Sequence, residues 1–410
     1  AEQGREWGWL SFTSIVCYAL SAIGIVSFIL VERAMGDDAL IPLKLFRSST
    51  FAMASVLGVL VGFGMFGAMM SLPLYLQLVN GASPTEAGLL LLPLVVGLIV
   101  SSTVGGQVIA RTGRYRIFPI LGTALLAGAF IFLGFSSYDK PVIFTMVGML
   151  IAGFGLGLLM QTLTLASQNA VGPRDMGVAT SASTFFRQIG GTLGTAVIFS
   201  VLFTRLPDTL AAAFGKTDLV AAALDAALDP AVASAPQNAA IMETIYDPIV
   251  GQITANLPAG VDLADDPTRA QVVDQVLESF GDGLPTGGSG GDSLTGSLDG
   301  NTAFLNGADP NLTAPFLDGF ANATVTVFWV SAIIVLVAFV LSFFLKAQPL
   351  RERSALQESL AEQASEDLAI EAQLAASAAG AEVAPDFDDE TSRDVDAAAD
   401  AELDPEPARR

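Results

Sequence analysis

The chain has 410 residues, of which 52% are hydrophobic and only 15% charged, with a mean hydropathy of +0.58 and a formal net charge of −22. A soluble domain carries about 25% charged residues, so most of this chain is built for an apolar surrounding, and its acidity excludes the basic face that nucleic acid needs. With no histidine and a single cysteine, Cys17, it has no intrachain disulfide, no His-based catalysis and no Cys/His set to anchor a metal; no cofactor is expected.

The first residues lack the basic region and cleavage pattern of a signal peptide, and Trp7 and Trp9 read as an interfacial anchor ahead of a first span at 10–31. Glu32, Arg33, Asp37, Asp38, Lys44 and Arg47 then form a charged connector. Spans two and three, 51–78 and 87–109, make a hairpin. Each exceeds the ~20 residues that cross a bilayer. The turn between them carries no cation, and Ser83, Pro84 and Glu86 predict a capping box with a first-turn proline. The far end of the hairpin carries Arg111, Arg114 and Arg116. Span four at 117–135 ends in a turn from Ser136 to Pro141; span five at 142–166 ends in one bearing Arg174. Span six is 179–203 and span seven 325–345, followed by Lys346, Arg351 and Arg353. Alternate turns are thus basic, and the positive-inside rule puts the basic ones in the cytoplasm.

Between spans six and seven lie about 115 polar, Asp- and Gly-rich residues, expected to stand outside. Helical periodicity is visible at 218–228, 241–257 and 268–280, which predicts a few short helices over the outer mouth. Residues 281–300 have the composition of a flexible linker. The tail from Ser354 starts as an amphipathic helix to about Ala378 and ends acidic and disordered by composition. The expected organisation is residues 1–50, a linking helix and connector; 51–347, a six-helix bundle with an insert at about 206–320; and 348–410, a cytoplasmic tail.

Two segments carry a family likeness. One runs from Pro73-Leu-Tyr-Leu-Gln77 through Gly81, Pro84, Gly88 and Pro93 to Gly106 and Arg111-Thr-Gly-Arg-Tyr-Arg116. The other is Phe185-Phe-Arg187-Gln188-Ile-Gly-Gly191-Thr-Leu-Gly194, with Pro349-Leu-Arg351 after span seven. Over about residues 7–353 the chain resembles the major facilitator superfamily, and within it the fourteen-helix drug:proton antiporter branch (EmrB/QacA type). The resemblance implies an all-α membrane protein, a major facilitator helical bundle whose seven transmembrane helices are the last seven of fourteen. It also implies proton-driven efflux of drugs or other small amphipathic substrates by alternating access, in a bacterial cell membrane. The partners would be the substrate, the proton, the lipid bilayer and a missing N-terminal half. Gly106, Arg111, Gly113 and Arg114 match the family's inner gating loop, but Ala110 stands where its acid would be. The alternative is a non-transporting membrane protein whose outer insert binds a partner. A membrane enzyme is disfavoured, for want of His, a Cys pair or a buried acid pair.

The family's site lies at the midplane between two bundles, lined here by spans two, three, five and six. On span five Gln161, Thr164 and Gln168 share a face; on span six Thr180, Thr184 and Arg187 do, with Gln188 beside them. Arg187 is expected to face the bundle interior or water, in contact with substrate or an acid of the other half, unless it snorkels to headgroups. On span two Phe66, Met70, Pro73 and Gln77 form a stripe with Tyr75 close by, a soft surface that suits varied apolar ligands. Gly153/Gly157 and Gly190/Gly194 have the small-xxx-small spacing of close helix contacts. None of the seven spans contains Asp or Glu, so a proton-carrying acid would belong to the other half.

Overall fold

The computed structural model describes residues 11–36, 41–257, 261–280, 305, 307–346, 364–365 and 368–374. Trp7, Trp9, the 281–300 linker and the acidic end of the tail lie outside the described residues, whose regular structure is all helix. The chain forms two units, 1–350 and 351–410; in the second, 368–374 is helical.

Helix α1 is Phe12–Met35, and a 3-10 turn at Leu43–Arg47 leads to α2, Ser49–Leu78. The capping box forms: the Ser83 N–H donates to Glu86 Oε2 at 2.9 Å and the Glu86 N–H to Ser83 Oγ at 3.3 Å. It starts a short helix α3, Pro84–Leu90, which runs with one break at Leu91 into α4, Leu92–Thr112. Pro93 thus sits in the first turn of α4, where its missing N–H costs little. Next come α5, Ile117–Leu133, and α6, Val142–Asn169; a 3-10 turn at Pro173–Asp175 then leads into α7, Met176–Phe214. Helices α8 (Thr217–Leu228), α9 (Asp247–Asn256) and α10 (Asp266–Phe280) precede α11, Pro310–Ser342.

Among the described residues six helices are long and apolar enough to cross a membrane: α1, α2, the α3–α4 run, α6, α7 and α11. Helix α5, the fourth expected span, has 17 residues and so rises only ~25 Å. It is the most apolar of the bundle helices and is packed between α6 and α11.

Backbone contact holds the bundle together. Lipid is as apolar as a leucine side chain, so helices in a bilayer gain from close van der Waals approach rather than from hiding oil. Helix α2 lies along α7, and a methyl added at Gly190 would sit 1.9 Å from the Val59 carbonyl oxygen. At Gly62 it would meet the Arg187 carbonyl at 2.1 Å, and at Gly194 the backbone of Phe63 at 2.8 Å. Helices α4 and α6 repeat the device: a methyl at Gly153 would be 2.1 Å from the Leu94 oxygen, and one at Gly157 2.3 Å from that of Leu98. Both glycine pairs of the sequence therefore sit in helix–helix seams.

Polar contacts join the basic ends. Thr50 Oγ1 donates to the Lys346 carbonyl at 2.9 Å, and Lys44 pairs with Asp175 at 3.6 Å. Ile41, Leu45 and Phe46 of the connector pack there against Phe51, Val171, Ala179 and Ala182. Helix α1 instead exposes Ile15, Leu20, Ile23, Ile25 and Leu30, touching α7 through the Phe28–Phe185 ring pair at 6.1 Å.

At the other end the structure extends the expected spans. Helix α7 continues from Phe203 to Phe214, and α11 begins at Pro310 rather than near Val325. The extensions persist because they pack on each other: Leu210 and Phe214 meet Leu312, Phe316 and Phe320, with Phe214 and Phe316 edge-to-face at 5.0 Å. Helices α8–α10 close a separate hydrophobic core over them, which includes Tyr75 and Val79 from the end of α2. This cap also uses polar groups. Tyr246 donates its hydroxyl to the Leu312 carbonyl at 2.8 Å, and burial pushes its phenol above the ordinary value. Asp318, inside α11 and almost buried, takes the Lys216 ammonium at 2.6 Å. Arg269, 5% exposed, is gripped by Asp225 at 2.8 Å and Asp266 at 2.7 Å, with Asp229 at 3.7 Å. The hydrogen bond to Asp225 is the largest influence holding its guanidinium above the usual arginine value.

Two predictions follow from this packing. Gly190→Ala is expected to lower the stability of the detergent-purified chain by about 1–3 kcal/mol through overpacking. Gly106→Ala, with nothing within 4 Å of the new methyl and a gain in helix propensity, should not lower the thermal midpoint. Arg269→Ala is expected to cost the cap about 2–3 kcal/mol. Hydrogen exchange should then accelerate over α8 and α10 but not across the α2–α7 seam.

Candidate functional site

The α2–α7 seam is flanked by an open groove of about 560 Å³ lined by Phe66 and Met70 of α2 and by Thr192, Thr195, Ala196, Phe199 and Phe203 of α7. The α7 residues follow from helix geometry. Positions 188, 192, 195, 199 and 203 step by four, three, four and four, which keeps them on one stripe. The Phe199 and Phe203 rings stack with centroids 6.0 Å apart at 18°. The threonine hydroxyls are turned back on their own helix: Thr192 donates to the Gln188 carbonyl at 3.0 Å and Thr195 to that of Gly191 at 2.9 Å. They offer the groove lone pairs rather than protons. Among the described residues no charged side chain lines it.

Of the residues expected on α2, Phe66 and Met70 line the groove, whereas Pro73, Tyr75 and Gln77 do not. Tyr75 is 2% exposed, its hydroxyl donates to the Ser137 carbonyl at 3.2 Å and its ring packs on Phe328. Five residues past Met70 is 500° of helix, about 140° off the stripe, so Tyr75 belongs to the core beneath the cap. Gln77 is on the stripe but two turns further along, and its amide donates to the Pro73 carbonyl at 3.2 Å.

The polar residues lie toward the basic end. Gln168 Nε2 donates to Thr180 Oγ1 at 2.9 Å, tying α6 to α7. The two helices run antiparallel, so counting from that bond at equal rise sets Thr164 opposite Thr184 and Gln161 opposite Arg187 and Gln188. Thr164 and Thr184 donate to the carbonyls of Met160 and Thr180, at 3.0 and 3.1 Å. Gln161 and Gln188 are exposed with no side-chain hydrogen bond, and Arg187 is half-buried with no carboxylate partner, among the described residues. The polar residues of α6 and α7 thus lie near the basic end, and the aromatic groove of α2 and α7 lies nearer the cap.

In the expected gating loop, Gly113 has a positive φ of 65° and ends α4, its N–H donating to the Ile109 carbonyl at 2.9 Å. Arg111 and Arg114 are exposed, and a methyl at Gly106 would meet nothing within 4 Å. Among the described residues no group of His, Cys, Asp and Glu side chains could hold a metal ion.

Sequence comparison decides the family. Residues 5–195 match the Major Facilitator Superfamily. A tetracycline resistance determinant of Streptomyces rimosus is 32% identical over 358 residues, 87% of this chain and 89% of that protein. The chain belongs to the Major Facilitator Superfamily. It is a multi-pass membrane protein of a transporter family, not an enzyme. An uncharacterized MFS-type transporter of Mycobacterium tuberculosis is 40% identical over half of this chain, and a multidrug transporter of Bacillus subtilis 34% identical over 62% of it. The matches span only 30% and 47% of those two proteins.

Thr192, Thr195, Phe199 and Phe203 are absent from the residues expected of the site, although the stripe through Gln188 continues into them. Phe199→Ala removes half of the ring stack. In the detergent-purified chain it is expected to weaken binding of ethidium, an aromatic probe, by about tenfold. Tyr75→Phe, outside the groove, should change it less than about twofold. Fluorescence titration reads both.

Proposed function

We propose that this chain is the C-terminal, seven-helix part of an exporter of drugs or other small amphipathic compounds, of the fourteen-helix drug:proton antiporter branch. The observation that carries the reading is the groove of α2 and α7 together with the polar α6–α7 zone toward the basic end. It combines stacked aromatics, a thioether and acceptor-only hydroxyls with an arginine that no carboxylate of the described residues neutralises. Such a face takes varied flat, apolar molecules by contact and leaves the polar zone for a second bundle to complete. Names among the relatives point the same way: a tetracycline resistance determinant and a multidrug transporter. The two relatives matched over less than half their length have room for that second bundle.

Helices α2, α4, α5, α6, α7 and α11 then form the C-terminal bundle and α1 the linking helix. The basic turns face the cytoplasm of a bacterial cell, as does the acidic tail, and α8–α10 cap the outer side. Alternating access is driven by protons through an acid on the N-terminal half, beside which Arg187 favours the ionised form. Gly106, Arg111, Gly113 and Arg114 act as a weakened inner gating loop, because Ala110 cannot pair with the arginines.

Deleting the gene should raise susceptibility to ethidium, and restoring it should return efflux. With Arg187→Ala in the full-length transporter, efflux driven by an imposed proton gradient should fall to the background leak while ethidium still binds. Undiminished proton-driven efflux by that variant would reject the coupling, and unchanged susceptibility on deletion would reject the export.

A further inference from the structure

Two neighbouring glycines on α7 face different kinds of matter. A methyl at Gly190 would strike the Val59 backbone, with the carbonyl oxygen 1.9 Å away and the Cα at 2.7 Å. One residue on, a methyl at Gly191 would meet no backbone first. Its three nearest atoms all belong to the Phe66 ring, with Cδ2 at 2.3 Å, Cε2 at 2.6 Å and Cγ at 2.8 Å. Backbone in a helix seam cannot yield without parting the helices, whereas a ring turns about χ1 and χ2. Gly190 therefore serves the seam. Gly191 serves the ring.

The ring in question lines the groove. Gly191 itself is buried, and Thr192 and Thr195, one and four residues on, also line the groove; the Thr195 hydroxyl donates to the Gly191 carbonyl at 2.9 Å. The bare Cα at 191 thus forms a berth against which the Phe66 ring packs. Any side chain at 191 lifts that ring, and the space it can move into is the groove. On its other side α2 packs against α11 and α5, where a methyl at Gly64 would meet Val335 Cγ2 at 2.9 Å and the Phe130 ring at 3.4 Å. The helix cannot back away to make room for the ring.

From this geometry we infer that Gly191 is a specificity-determining position of the groove, acting through Phe66 to set the width of molecule that fits. It touches no ligand itself and is a positioning residue. The inference rests on the groove being the substrate wall, as proposed above, and deepens that reading by naming what sets its size limit. A residue larger than glycine at 191 narrows the groove for wide ring systems and spares slim ones.

The test uses the full chain in detergent and two aromatic probes, ethidium and the wider rhodamine 6G. Gly191→Ala should raise the dissociation constant of rhodamine 6G about tenfold and that of ethidium less than about twofold. Shrinking the ring in the Gly191→Ala, Phe66→Leu double variant should restore rhodamine 6G, which a merely structural role for Gly191 would not allow. Phe66→Trp, which leaves Gly191 in place and enlarges the ring, should discriminate in the same direction and serves if Gly191→Ala fails to fold. Equal loss of both probes in Gly191→Ala and in Phe66→Trp, or no rescue by Phe66→Leu, would overturn the inference while the groove remains the site. If Phe66→Ala and Phe199→Ala leave both probes unaffected, the groove is not the binding wall, and the reading beneath the inference falls with it.

Discussion

Where α2 and α7 meet, two backbones touch because one of them carries no side chain. Water cannot drive that association inside a bilayer, so the helices are held by the dispersion contacts that only close approach provides. Gly62, Gly190 and Gly194 permit the approach on this seam, and Gly153 and Gly157 do so between α4 and α6. The rest of the bundle is arranged around these fixed distances. With α2 and α7 locked in register, Phe66 and Met70 come to lie beside Thr192, Thr195 and Phe199, and a groove results at the edge of the seam. A wider seam would leave the same residues on two separate helices with no shared wall.

Local chemistry was legible in the sequence wherever the determining atoms were neighbours in the chain. The Ser83–Glu86 capping box is an example, since both partners lie within one helical turn. The small-xxx-small spacing of Gly153/Gly157 and Gly190/Gly194 was legible for a similar reason: on a helix, residues four apart share a face. What composition could not reveal was where α7 and α11 stop. Arg205 and Asp208 end the apolar run and mark an exit from lipid, yet the helix continues to Phe214 because Phe316, a hundred residues later, packs against it. Asp318 was hidden by the same limit. By composition it lies in a polar insert, whereas the structure sets it inside a 33-residue helix and buries it against Lys216.

The candidate site was half legible. Phe66, Met70 and the α6–α7 polar residues are recognisable by helical spacing and by the likeness around Arg187. The continuation of the α7 stripe obeys the same spacing, but threonine and phenylalanine are ordinary residues in a membrane span and carry no mark of their own. Tyr75 shows the opposite failure. Proximity in sequence to Met70 does not place it on the same face, and its hydroxyl is already committed to the Ser137 carbonyl. The cap then gives Tyr75 and Val79 a core of their own, so the end of α2 belongs to two assemblies, bundle and cap.

The account stands on the α7 stripe being a wall that a transported molecule covers. With Cys17 replaced by serine, single cysteines at Thr192 and at the buried core position Val335 can be challenged with a water-soluble maleimide in membranes, with and without ethidium. The account predicts that Thr192→Cys is labelled and that ethidium protects it, while Val335→Cys stays unlabelled in both conditions. Labelling of Thr192→Cys at the same rate whether or not saturating ethidium is present would contradict it.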